Sequence, residues 1–554
     1  MAADTSAPAT VAQAFDAAAR RWPGRPFLCV LPKTAGIYGI ESGETTYAAA
    51  QQQVQALRAR YARAGYGMGH RVGLMLENRP DFFWHWFALN GLGASVVPVS
   101  MESRAAELEY LIGHSEVALV VAQTRRHEEL LEAAERAGRP MCVVAPRDEP
   151  PPAAFAAPQS GATPDVHGEC ALLYTSGTTG RPKGCILPNR YFLLAGQWYA
   201  TIGGLARLHK GRERMLTPLP LTHMNAMAYS TLAMVMTGGC LIVLDRFHPG
   251  SWWDSVRASG ATVVHYLGVM PAMLMKSPQS PDDHRHAVRF GFGAGVDRLL
   301  HEPFERRFRF PLLEAWAMTE TGAGAVVIAN EEPRQIGTNC FGRERDEVEV
   351  RLVADDGRDA VVDEPGELWV RHAGPDPRDG FFAGYLKDAA ATDEAWAGGW
   401  FHTGDIVCRD EQGQLHFIDR RKNVIRRSGE NISAVEVESV LNRHPAVKAV
   451  AVAATPDEVR GDEVLALVVT HEPVAADARE ALANELVRLA LDQLAYFKAP
   501  GYVAFVDALP LTASQKIQRG DVKSLAAGLP GQDCCVDTRH LKKKKQGWSS
   551  EPYR

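Results

Sequence analysis

The segment Thr175-Ser176-Gly177-Thr178-Thr179-Gly180-Arg181-Pro182-Lys183-Gly184 limits what this chain can fold into more than any other. An apolar run, Ala171-Leu172-Leu173-Tyr174, leads into it and reads as a buried strand. Glycines let backbone N–H groups turn toward an anion and approach it closely. The Ser and Thr hydroxyls add donors, and Lys183 adds a positive charge that can follow a phosphate as it moves. Together they read as a strand followed by a loop that cradles a triphosphate. It is not a Walker loop, because Gly184 follows Lys183 and the glycine spacing differs from G-x-x-x-x-G-K-[ST].

A strand feeding such a loop needs a sheet around it, and the preceding residues supply one. Val11 to Arg21 has helical spacing and stops before Pro23. Arg71 to Glu77 reads as a strand, Pro80 to Gly91 as a helix and Ala94 to Val99 as a second strand. Glu107 to Gly113 and Ala118 to Ala122 repeat the alternation, which predicts a mostly parallel sheet covered by helices. Phe82, Phe83, Trp84, Trp86 and Phe87 are expected in the helix–sheet core rather than on a binding face. Pro146 to Pro164 is a surface connection.

Composition narrows the function classes. The formal charge of −6 gives no sign of nucleic-acid binding. Nine scattered cysteines with no C-x-x-C pair indicate neither a zinc site nor a disulfide framework, which fits a reducing compartment. No apolar run reaches membrane-spanning length and the start lacks a signal-peptide core, so a cytoplasmic protein without a membrane partner is expected.

Further along stand Pro218-Leu219-Pro220-Leu221-Thr222-His223, Phe290-Gly291-Phe292-Gly293-Ala294-Gly295, Leu313-Glu314-Ala315-Trp316-Ala317-Met318-Thr319-Glu320-Thr321, Gly399-Trp400-Phe401-His402-Thr403-Gly404-Asp405 and Phe417-Ile418-Asp419-Arg420-Arg421-Lys422-Asn423. Ser428-Gly429-Glu430-Asn431-Ile432-Ser433 and Thr512-Ala513-Ser514-Gln515-Lys516-Ile517 close the series. These strings, with the phosphate loop, resemble the adenylate-forming superfamily from end to end and in its order. Among acyl-CoA synthetases, the look of Pro218 to Met275 is nearest the crotonobetaine/carnitine-CoA ligase branch.

The resemblance implies an α/β enzyme with a large N-terminal domain of parallel-rich sheets over 1–421 and a small mobile α+β domain over 422–527. A flexible tail is expected over 528–554. It implies an acid–thiol ligase that joins a carboxylic acid to coenzyme A through an acyl-adenylate made from ATP, and it leaves a homodimer open. Thr175, Ser176, Gly177, Thr178, Thr179, Gly180 and Lys183 would hold the phosphates. Gly293, Ala294 and Gly295 would lie against adenine and the acyl group, beside Trp316, Ala317, Met318 and Thr319. Trp316 stands where the family has tyrosine and can stack on a purine. Glu320 is a hard oxygen ligand suited to Mg²⁺ between phosphates. Asp405, after a tight glycine turn, would accept the ribose hydroxyls, and Arg420 would contact ribose or phosphate. His223 would line the carboxylate end of the pocket. Lys422 would be the hinge, and Gly429 would leave room for a pantetheine arm. Lys516 would bridge the substrate carboxylate and the α-phosphate, although Gln515 replaces the glycine usual before it.

A carrier domain is not evident after Arg519, so free CoA is the expected thiol. A non-catalytic nucleotide sensor is the alternative class, and the joint presence of Lys183, Glu320, Asp405 and Lys516 argues for the enzyme. The acid is read as small or compact. A carnitine-like cation would need an aromatic cage, for which Trp198, Tyr199 and Tyr229 are available. A short- or medium-chain or aromatic acid is the alternative. Lys516→Ala should lower adenylate formation by roughly a hundredfold, the scale of losing one electrostatic stabiliser. Thiol transfer from supplied acyl-adenylate should survive, and equal loss of both half-reactions would overturn the assignment.

Overall fold

A computed structural model describes residues 7–542 apart from 160, 176–181, 297, 299, 355, 421–424, 429, 433 and 511–518. The chain divides into two compact units. One comprises residues up to Met101, Ile112–Tyr174 and Gly184–Ile418; the other gathers Glu102–Leu111, Thr175–Lys183 and the chain from Asp419 onward.

The first unit is built on parallel strands. In one seven-stranded sheet, Arg71–Met75 lies between Ser95–Pro98 and Leu119–Ala122, parallel to both. The helix Pro80–Asn90 links the first two, as the alternation predicts. Helices on both faces leave such strands no wet side, and Ser95–Pro98 and Leu119–Ala122 are buried at every position. The helix starts on Pro80, where a missing N–H costs nothing, and buries all five expected aromatics. Phe87 stacks on Phe15 of the helix Val11–Arg21, ring centroids 4.6 Å apart. That helix begins where Thr10 accepts from the Gln13 N–H at 3.1 Å.

A second sheet of eight strands carries Val263–His265, Phe290–Gly293 and Leu312–Trp316 side by side and parallel. A third, of five strands, is antiparallel where Val348–Val353, Gly366–His372 and Phe401–Arg409 pair. Phe401–Arg409 alternates buried and half-buried residues, as a strand packed on one face must.

The second unit has the expected α+β character. A long hairpin of Val447–Asp457 and Gly461–Thr470 is flanked by Tyr502–Phe505, and the helix Arg479–Gln493 buries Ala483, Leu486, Val487 and Ala490. Of the leucines at helical spacing, Leu486 and Leu494 are buried, and Leu482 and Leu489 pack partly buried against the same core. The flexible tail expected from 528 is corrected. Cys535–Asp537 is a strand that pairs antiparallel with Tyr502–Phe505. Lys542 is buried with its ammonium on Glu463, and Arg427 Nε donates to both oxygens of that carboxylate at 2.9 Å. Lysine reads as solvated from sequence, but a buried carboxylate elsewhere in the fold compensates its charge. Residues 543–554 lie outside the described residues.

His85 and His265 are among the buried histidines of the first unit. His85 donates from Nε2 to the Pro146 carbonyl at 3.0 Å and accepts at Nδ1 from the Tyr61 hydroxyl at 2.7 Å. Burial lowers it to about 4, and lowers His265 to about 3. An unfolded histidine titrates near 6.5, so below that pH the unfolded chain binds more protons and stability falls toward the folded values. Between pH 7 and 5 each site should cost about 2 kcal/mol. The drop in urea midpoint over that range should be smaller in His85→Gln than in the wild type; equal drops would refute the link.

Candidate active site

Strands Glu169–Thr175 and Lys183–Pro188 bracket the segment expected to hold phosphates, with Thr175 and Lys183 half-buried at their ends. Ser176, Gly177, Thr178, Thr179 and Gly180 lie outside the described residues, as do Lys422, Gly429 and Lys516. Arg420 is the last residue of the strand Leu415–Arg420.

In open α/β sheets ligands gather outside the carboxyl ends of the strands. Here those ends carry Gly268, the turn Gly293-Ala294-Gly295 and the stretch Trp316-Ala317-Met318-Thr319. The turns touch through bare backbone. A Cβ on Gly268 would stand 1.6 Å from the Gly295 carbonyl oxygen, and one on Gly293 would stand 2.3 Å from that of Tyr266. Glu314 clamps the turn, accepting from the Gly295 N–H at 2.9 Å and the Val296 N–H at 2.8 Å. Its role is absent from the sequence reading, where the only signal was a carboxylate inside an apolar strand.

Trp316 ends its strand with the indole N–H donating to Asp405 Oδ2 at 2.9 Å, and both residues are buried. Asp405 does not follow a tight turn, as expected from sequence. It belongs to the strand Phe401–Arg409, whose pairing with Gly366–His372 jumps from His402 opposite Trp369 to Ile406 opposite Glu367. Residues 403–405 are therefore a bulge, with Gly404 at φ +69°. The bulge is fixed by side chains: Thr403 Oγ1 donates to the Leu368 carbonyl at 2.6 Å and accepts from the Asp405 N–H at 3.0 Å.

Glu320 is buried two residues beyond Met318, and its Oε1 accepts from the Tyr385 hydroxyl at 3.0 Å. Tyr385 pairs with Cys185 on the strand that begins at Lys183. Burial and the Glu320 charge raise the Tyr385 phenol far above its ordinary value, so it remains a neutral donor. Nothing in the sequence around Tyr385 signals this part.

His223 is exposed; its carbonyl accepts from the Met227 N–H at the head of a π-helical turn, Asn225–Ser230. Ala317 and Met318 are half-buried beside the core. Trp198, Tyr199 and Tyr229 do come together, with Trp198 centred 5.8 Å from Tyr199 and 5.4 Å from Tyr229. They do not form an open cage. Tyr199 and Tyr229 are fully covered, Phe292 lies 4.8 Å from Tyr199, and their hydroxyls are committed to His265 and the Gly322 carbonyl.

A family model of AMP-binding enzymes matches residues 15–386, and one of the AMP-binding enzyme C-terminal domain matches 436–516. The chain is an AMP-binding enzyme. It is a member of the family of AMP-forming acid–CoA ligases, whose substrates include ATP and CoA. A crotonobetaine/carnitine–CoA ligase of Escherichia coli O17:K52:H18 (strain UMN026 / ExPEC) is 28% identical over 514 residues, 89% of this chain and 96% of that one. A malonyl-CoA ligase structure with methylmalonyl-CoA and AMP bound is 26% identical, with TM-score 0.69 and coverage of 88% and 96%. A double mutant of the o-succinylbenzoate CoA synthetase of Bacillus subtilis shares the fold at TM-score 0.77 and 23% identity, covering 92% of this chain and 98% of that one. Among the described residues of this AMP-binding enzyme no helix is long and apolar enough to cross a membrane.

The Trp316–Asp405 bond makes a direct prediction. Trp316→Phe keeps a stacking ring and removes the donor, and a hydrogen bond to a charged group contributes about 1.5–3 kcal/mol. The Kd for AMP should rise at least roughly tenfold in calorimetric titration. An unchanged Kd would show that the pair does not shape the nucleotide site.

Proposed function

We propose that the chain is an ATP-dependent carboxylic acid:CoA ligase acting on a small or compact acid through an acyl-adenylate. The observation that carries this reading is that two buried carboxylates, Asp405 and Glu320, accept from Trp316 and Tyr385, with Trp316 ending the strand next to the one that leads into the Gly293–Gly295 turn. A neutral donor orients a carboxylate without cancelling its charge, which suits Glu320 to bind a cation, and Asp405 takes the ribose hydroxyls. Trp316 stacks on the purine.

In the first half-reaction a carboxylate oxygen of the acid attacks the α-phosphorus of ATP and pyrophosphate leaves. Two anions must be brought together, so positioning and charge compensation are the enzyme's task. Lys183 and the loop amides hold the β- and γ-phosphates, and Lys516 bridges the carboxylate and the α-phosphate. Glu320 fits as the holder of Mg²⁺, which supplies charge neutralisation on the phosphates. In the second half-reaction the small domain swings at Lys422, Gly429 opens the way for the pantetheine arm, and the CoA thiol attacks the acyl carbon. The thiol loses its proton and AMP leaves. A cytoplasmic location belongs to the proposal, supported by nine free thiols.

The relatives' names suggest a carnitine-like acid, but the closed packing of Trp198, Tyr199 and Tyr229 favours an uncharged compact acyl group. Ala317 supports the same size preference. It stands where the family has glycine, and overpacking a filled site costs on the order of 1–3 kcal/mol. Pyrophosphate release across a panel of acids tests the reaction, and no release with any acid would refute it. In Ala317→Gly the kcat/KM ratio of an eight-carbon to a four-carbon acid should rise by about tenfold. A flat ratio would remove Ala317 from the pocket wall.

A further inference from the structure

One polar cluster in the first unit takes no part in the reaction just described. His265, the last residue of the strand Val263–His265, is buried beside Phe292, ring centroids 4.9 Å apart. Its Nε2 lies 3.1 Å from the Tyr199 hydroxyl, and its Nδ1 lies 2.6 Å from Asn225 Oδ1 and 3.0 Å from Ser230 Oγ. Asn225 opens the π-helical turn Asn225–Ser230. Ser230 Oγ donates to the Asn225 carbonyl at 3.1 Å, and Thr231 Oγ1 to the Ala226 carbonyl at 2.8 Å. Each satisfies a carbonyl five residues back, so the wider winding is stabilised by side chains. Such turns often occur at functional sites.

The proton positions follow from counting donors. Tyr199 is fully buried, and among the described residues its hydroxyl has one acceptor in reach, His265 Nε2. A buried phenol must donate. Nε2 is therefore the accepting nitrogen and Nδ1 carries the hydrogen. Nδ1–H then needs acceptors, and Asn225 meets it with Oδ1. Ser230 Oγ, having donated elsewhere, accepts too. The opposite arrangement would turn the Asn225 amide around, but would leave the Tyr199 hydroxyl without an acceptor. Burial keeps His265 neutral, lowering it to about 3, so this state holds at any working pH.

The amide nitrogen of Asn225 consequently turns away from His265. No acceptor for it is found among the described residues, and Asn225 is half-buried. It is tied to the carboxyl end of a strand whose neighbour ends in the Gly293–Gly295 turn. The nearby side chains Phe292, Trp198 and Tyr229 are aromatic. One fixed donor in such a wall discriminates strongly, because a substrate lacking the matching acceptor leaves it unpaired.

We propose that Asn225 is a specificity-determining donor, held by the buried positioning residues Tyr199 and His265, that selects a compact acid carrying a hydrogen-bond acceptor such as a hydroxyl or carbonyl on its chain. The inference rests on the acid–ligase reading and adds the substrate class to it. The test uses the full-length enzyme and pyrophosphate release with three isosteric pairs: 2-hydroxybutanoate and 2-methylbutanoate, 3-hydroxybutanoate and 3-methylbutanoate, and 4-hydroxybutanoate and pentanoate. The wild type should prefer the hydroxy acid in at least one pair. Asn225→Ala should lower that hydroxy-to-methyl kcat/KM ratio by about tenfold, chiefly through KM. Tyr199→Phe frees the imidazole to take the other tautomer and should lose part of the same ratio; it decides the matter if Asn225→Ala does not fold. A wild type with no hydroxy preference, or a ratio unchanged in the folded variants, overturns the proposal while leaving the ligase reading intact. Absence of pyrophosphate release with every acid overturns both.

Discussion

The site depends on two crossover turns meeting backbone to backbone. Gly268 and Gly295 follow neighbouring parallel strands, and no side chain fits between them. That contact sets how closely the two loops can lie, and hence the floor on which a ligand at the strand ends must rest. Glu314 holds the second turn from the next strand over, so three consecutive strands define one surface. A methyl group at Gly268 would have to part the turns by more than any side-chain rotation allows.

The electrostatic arrangement follows a consistent rule. Asp405 and Glu320 are both out of water, where an unpaired carboxylate is costly. Arginine partners are common elsewhere in this protein: Arg334 grips Glu305 with two nitrogens, each 2.7 Å from a carboxylate oxygen, and holds it near 2. At the site an indole and a phenol donate to the two carboxylates. Donors of this kind orient a carboxylate without adding a countercharge of their own, which suits the proposed contacts with hydroxyls and a cation.

Much of this was legible in the sequence. The helix Val11–Arg21 is bounded by a threonine cap and a proline, both local signals, and the parallel sheet followed from alternating apolar strands and helices. What escaped was set by register and distance. The bulge at 403–405 exists only relative to its partner strand. The Trp316–Asp405 bond spans 89 positions, so the two motifs could be listed but not joined. Tyr385 and Glu314 act through single atoms aimed at a neighbour, which no spacing rule encodes. The three aromatics could be named as candidates but not placed together, and whether they form a cage or a packed core depends on what fills the space between them; here Phe292 fills it.

The last strand has a further effect. Cys535–Asp537 covers the outer edge of Tyr502–Phe505 through three residue pairs, and Lys542 pins the segment that follows to Glu463. Without it, that row of backbone N–H and carbonyl groups would be an open template bordered by apolar residues, the kind of edge along which separate molecules join into aggregates. Residues 535–542 thus cover the longer and more apolar edge, and shortening the chain into them would expose it to self-association.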